Sequence, residues 1–195
     1  MTATAQKTLP TREELVVRAV ELQPLLRKHA AAGEVNREQA DEVIDGLTAA
    51  GLFRLMKPSR FGGYEGGLRT LLEVAEALGE ADGSTGWVVA VAAAGALAAT
   101  RGSEQAQEEI FGDPDARIAG TGMPATARRV DGGLRISGRW GYASGSPHAT
   151  WSALAAAVTD EAGQPGDAYF CLVPASQLQL ENTWRTGVPL ESCAS

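Results

Sequence analysis

Arg128-Arg129-Val130-Asp131-Gly132-Gly133-Leu134-Arg135-Ile136, RRVDGGLRI, decides how this chain is to be read. Asp-Gly favours the positive-φ backbone of a tight turn, so the stretch predicts a β-hairpin. The first half of the chain reads differently. Strands are predicted after it at 152–159, 168–173 and 178–183, separated by the turn-rich 160–167.

Upstream the pattern is helical. Thr11-Arg12-Glu13-Glu14 fits a capping box, with a hydroxyl followed three residues later by a carboxylate. Leu15, Ala19, Leu22 and Leu26 then recur at helical spacing, with Pro24 inside the run. Asn36 is expected to cap a second helix bearing Val43, Ile44 and Leu47, which ends at Gly51. The stretch 52–67 is broken by Pro58, Gly62-Gly63 and Gly66-Gly67. A third helix is predicted over 68–78, an alanine-rich fourth after Asp82-Gly83-Ser84, and a short fifth from Ser103. Near Gly112-Asp113-Pro114 the pattern changes. The fold class is therefore α+β: a flexible 1–10, a helical domain over 11–114, an antiparallel β domain over 115–184, and a tail over 185–195.

Composition narrows the function. A net charge of −7 and a pI near 4.9, without a basic patch beyond Arg128-Arg129, argue against nucleic-acid and anionic-membrane partners. The apolar run 87–99 is shorter than the roughly 20 residues a membrane span requires. The N-terminus lacks a signal-type apolar core. Cys171 and Cys193 have neither metal nor redox spacing, so no metal is expected. A soluble, cytoplasmic protein is the expectation.

One ribbon does not suit a plain strand or a surface loop. GRWGYASGSPHATW (138–151) interleaves Trp140, Tyr142 and Trp151 with small residues and His148. Large aromatics offer flat apolar surface, and small residues let backbone approach a ligand closely. Each has a plainer reading: Trp140 and Trp151 as core, Ser144 as a turn residue, His148 as a loop histidine satisfied by backbone. His29 reads as structural, and Gly62-Gly63 as loop geometry.

The order PSRFGG (58–63), EALGEADGSTGW (76–87) and GRWGYASG (138–145), behind helices and within a β domain, resembles the acyl-CoA dehydrogenase superfamily. The resemblance covers about residues 12–184. Within the superfamily the chain is most similar to the oxygenase subunits of two-component flavin-dependent monooxygenases. At 119–124 it reads AGTGMP, without the Glu and the Gly-Ser-Asp that typify the dehydrogenases.

That resemblance implies a barrel-like β domain and reduced flavin, FMN or FAD, supplied by a separate reductase. It implies hydroxylation of an aromatic or polycyclic compound. Trp140 would lie against the flavin ring, with Tyr142, Ala143 and Ser144 beside it and Ser144 near N5. Thr121 and Gly122 would line the ring from the adjacent strand. Trp87, Gly95 and His148 would face substrate, Gly95 standing where some monooxygenases carry a histidine. The family's C-terminal helical bundle, which holds its catalytic base, has no counterpart here, so no catalytic residue is expected in the chain. A truncated or frame-shifted gene, a fragment and a short variant all fit. Exposed apolar surface should then favour a homo-oligomer or association with a full-length relative. Two further readings stay open: an acyl-CoA dehydrogenase-like fragment, and a non-catalytic remnant or interaction subunit.

Overall fold

The computed structural model describes residues 9–159, 165–181 and 193–194. Helix α1 (Arg12–Asn36) starts on the anticipated box: the Glu14 N–H donates to Thr11 Oγ1 at 3.2 Å, and the Thr11 N–H donates to Glu14 Oε2 at 2.8 Å. Pro24 lies inside α1, which continues past it because Leu15, Ala19, Gln23 and Leu26 are buried as one stripe. Asn36 does not cap the second helix. It is the last residue of α1, and Arg37, at φ 64°, makes the left-handed turn that closes it. Helix α2 (Asp41–Ala49) instead starts from Ala40, with no side-chain cap.

Two short 3-10 turns (Leu52–Arg54 and Ser59–Phe61) lead to α3 (Leu68–Gly79), α4 (Gly83–Ala99) and α5 (Glu104–Phe111). Asp82 and Ser103 cap α4 and α5, each accepting a backbone N–H in the first turn. Leu26, Leu47, Leu52, Leu78 and Val89 anchor the core of α1–α4. A second core joins Ala96 and Ala99 of α4 and Ile110 and Phe111 of α5 to Ile118 and Ala153 of the sheet.

The strands are β1 (Ile118–Val130), β2 (Gly133–Ser137), β3 (Ala143–Ser144), β4 (Trp151–Thr159), β5 (Pro165–Pro174) and β6 (Cys193–Ala194). The hairpin turns where expected, at Asp131-Gly132, with Gly132 at φ 81°. The main sheet has the order β2-β1-β4-β5, and β3 pairs separately with β6. The expectation of a wholly antiparallel domain is corrected here, because β1 and β4 run parallel. Among the described residues the four-stranded sheet is open, with β2 and β5 at its edges. The strand expected over 178–183 is not formed at 178–181; the chain makes a 3-10 turn at Ala175–Gln177 and continues irregularly. Its remaining two residues, the first eight residues and the tail apart from 193–194 lie outside the described residues.

The parallel pair explains where the ribbon goes. β2 runs back along β1 only as far as Thr126, whereas β4 starts beside Ile118 on the other side of β1. Residues 138–150 therefore cross from one side of β1 to the other, outside the main sheet.

Candidate functional site

The crossing is shaped by close approaches and left-handed turns. A Cβ at Gly138 would lie 2.2 Å from Ala125 Cβ, so only glycine lets the ribbon leave β2 this close to β1. Tyr142 has φ 61°, an uncommon conformation for an aromatic residue, and Gly145 has φ 79°. These two turns bracket Ala143 and Ser144, both buried.

A cleft of about 470 Å³ opens on one side of the ribbon, within the usual size of a small-molecule site. Trp140 and Ala143 line it from the ribbon, Leu154 from β4, Val173 from β5, and Gln177 and Leu178 from the segment after β5. Trp140 donates its indole N–H to the Ala155 carbonyl at 2.8 Å. The remaining aromatic surface is what it can offer an occupant. Arg139 and Glu181 pair at 2.6 Å on the rim.

Ser144, next to Ala143 in the ribbon, is bonded to the helices. The Trp87 indole N–H, from α4, donates to Ser144 Oγ at 2.9 Å. Ser144, Gly145 and His148 border a gap of about 10 Å³ together with Val88, Arg117 and Ala119, room for at most one water. His148 Nε2 is 2.8 Å from the Gln39 carbonyl oxygen, and its Nδ1 is 3.8 Å from Asp41. The histidine thus ties the ribbon to the α1–α2 connection.

The remaining anticipated residues separate. Thr121 is buried in β1 opposite Leu154, its hydroxyl accepting the Met123 N–H at 3.3 Å; Gly122 is exposed. Tyr142 is also exposed, at 59%. Gly95 is a packing position: a Cβ there would come within 2.7 Å of the Ile118 carbonyl oxygen. It lets α4 sit against β1. Trp151 begins β4 and packs on the second core. His29 pairs with Glu42 at 2.7 Å.

Several contributors carried no signal in sequence. Arg117 donates through Nε to the His148 carbonyl at 2.6 Å and through Nη1 to the Asp115 carbonyl at 3.3 Å, bracing the ribbon's end. Gln39, buried between α1 and α2, bonds through its side-chain amide to Thr85 Oγ1 at 2.7 Å. Leu154, Val173 and Leu178 meet at the cleft only because β4 and β5 pair. Among the described residues, no cluster of His, Cys, Asp and Glu could hold a metal, and no helix is long and apolar enough to cross a membrane.

Residues 15–113 match the family model of the acyl-CoA dehydrogenase N-terminal domain. The chain is 38% identical over 173 residues to an FADH(2)-dependent resorcinol hydroxylase, oxygenase component, of Rhizobium sp.; the match covers 87% of this chain and 42% of that protein. It is 36% identical to a pigment production hydroxylase of Rhodococcus sp., over 89% of this chain and 45% of the relative. Among solved structures, XiaF from Streptomyces sp., in complex with FADH2 and glycerol, superposes with a TM-score of 0.89 at 34% identity. That superposition covers 94% of this chain and 47% of XiaF. The chain spans less than half the length of the curated relatives it matches.

Proposed function

The chain belongs to the acyl-CoA dehydrogenase family, and on that premise we propose that it forms the helical and sheet portion of a flavin-dependent oxygenase component. The hydroxylases among its relatives favour oxygenation over acyl-CoA dehydrogenation. So does AGTGMP at 119–124, where the dehydrogenase pattern is absent. The single observation that carries the reading is the cleft of about 470 Å³ walled by Trp140 and Ala143, with Ser144 next in the chain.

The residues present suit a flavin. Its isoalloxazine ring is flat and largely apolar with polar edges. The cleft offers Ile136, Trp140, Leu154 and Val173 for the faces, and Ser137, Ser152 and Gln177 for the edges. Reduced flavin, FMN or FAD delivered by a separate reductase, would supply two electrons for O₂ activation, one oxygen atom entering an aromatic or polycyclic substrate and the other leaving as water. Trp140 would orient the ring by aromatic contact, held in place by its bond to Ala155. Ser144 would present its hydroxyl to a polar edge. Thr121 and Gly122 would flank the ring from β1, with Tyr142 over its exposed side; Trp87 would mark the substrate side, which Gly95 and His148 would support through their contacts with Ile118 and Gln39. The apolar wall would keep water from the reacting centre.

In the cell we place the protein in the cytoplasm. Exposed apolar residues such as Leu97 would serve association, as a homo-oligomer or with a full-length relative.

Anaerobic titration with reduced FMN and reduced FAD tests the reading. Trp140→Ala should weaken binding by about tenfold, the worth of one aromatic contact plus lost burial. Ser144→Ala should weaken it by a few-fold, the worth of one hydrogen bond. Unchanged affinity in both variants sinks the assignment of the ring to this ribbon.

A further inference from the structure

The geometry points to Trp87 as a positioning residue that acts through Ser144, an inference that rests on the flavin reading above. An indole N–H can only donate, whereas a serine hydroxyl has one hydrogen and two acceptor positions. At 2.9 Å, Trp87 therefore fills an acceptor position of Ser144 Oγ. The Ser144 hydroxyl hydrogen then cannot point at the Trp87 indole. A helix residue thus restricts the rotamer and the donor direction of a hydroxyl on the ribbon.

The surroundings make that contact stiff. α4 starts at a fixed point, because Asp82 accepts the Thr85 N–H at 2.8 Å. Ser84, Thr85 and Val88, on either side of Trp87, are buried. A Cβ at Gly145 would lie 3.3 Å from Val88 Cγ1, so the next ribbon residue also seats on α4. A second tie closes the other end of this stretch: His148 bonds to the Gln39 carbonyl, and the Gln39 side chain bonds to Thr85. Ser144 is held between two connections to the helices, while Trp87 itself remains 50% exposed. Its outer surface can face an occupant while its N–H holds the serine.

A double-mutant cycle with two independent readouts tests this. The first needs no flavin: the indole N–H of Trp87 is observed by NMR, assigned by its loss in Trp87→Phe. Ser144→Ala should move its resonance and speed its exchange with solvent. The second is reduced-flavin affinity by anaerobic titration. Trp87→Phe, which keeps an aromatic ring in a half-exposed position while removing the donor, should weaken binding about as much as Ser144→Ala, roughly fivefold. In the Ser144→Ala background it should have no further effect.

An indole signal unmoved by Ser144→Ala overturns the inference at its geometric root. Additive losses in the cycle also overturn it, with the flavin reading intact, because Trp87 would then act independently of Ser144. Failure of the unmutated chain to bind reduced flavin removes the flavin reading itself, and the positioning role with it.

Discussion

The ε-amino group of Lys57 is buried at the junction of the helices and the sheet, where its chain comes from the irregular 52–67 segment. It donates to the Asp113 carbonyl at 3.3 Å and to the Pro114 carbonyl, and lies 5.8 Å from the Phe111 ring centre. Desolvation disfavours its charged form and lowers its pKa to about 8; Asp113 and Asp115 oppose that shift, and Arg54 and Arg117 add to it. Between pH 8 and about 10.5 the unfolded chain therefore binds a proton that the folded chain has released. The burial penalty is constant below pH 8, where both states are protonated, and is relieved as pH rises through this window. Unfolding free energy should increase over pH 8–10.5 relative to Lys57→Met, by at most on the order of 3 kcal/mol. Parallel pH profiles of the two proteins, followed by urea unfolding, would contradict this account. At the same junction a Cβ on Gly63 would lie 2.0 Å from the Lys57 carbonyl oxygen. The glycine pair read as loop geometry is what allows the loop to close around this lysine.

Among the elements, the contact of α4 with β1 decides how the helices meet the ribbon. Gly95 is its narrowest point. Alanine there gains up to about 1 kcal/mol in helix propensity. It also drives a methyl against the Ile118 backbone, which costs about 1–3 kcal/mol. Gly95→Ala should lower the urea midpoint, whereas Gly79→Ala in α3, with nothing within 4 Å of the added carbon, should leave it unchanged or raised. Equal effects of the two substitutions would deny the close approach. Helices and hairpin were legible in the sequence because their signals are local: the Thr11 box, the Asp82 and Ser103 caps, and Asp131-Gly132. Asn36 misled because a good capping residue can equally end a helix, and the left-handed turn fell on Arg37. The parallel pairing of β1 with β4 was not legible, since alternation along a strand carries no record of its partner's direction. Nor was the bond from Trp87 to Ser144, which joins residues 57 positions apart. The aromatic ribbon itself stood out by composition, but which of its residues face the cleft and which face α4 follows from the crossing.

For the whole molecule, the ribbon is a bridge: Trp140 and Ala143 line the cleft, His148 ties to the helices, and Ser144 between them is bonded to Trp87. A ligand bound in the cleft should stabilise both the ribbon and its attachments, because anything that binds only the folded arrangement raises its stability by mass action. The surfaces of α1 and the β1–β2 turn, which touch neither, should be indifferent. Hydrogen exchange read peptide by peptide, on the chain with and without saturating reduced flavin under anaerobic conditions, tests this most directly. The account predicts slower exchange over 138–151 and over the cleft wall at 152–157 and 170–174, with 12–36 and 128–135 unchanged. No change in 138–151 at flavin concentrations that show binding, or protection confined to another part of the chain, would contradict it.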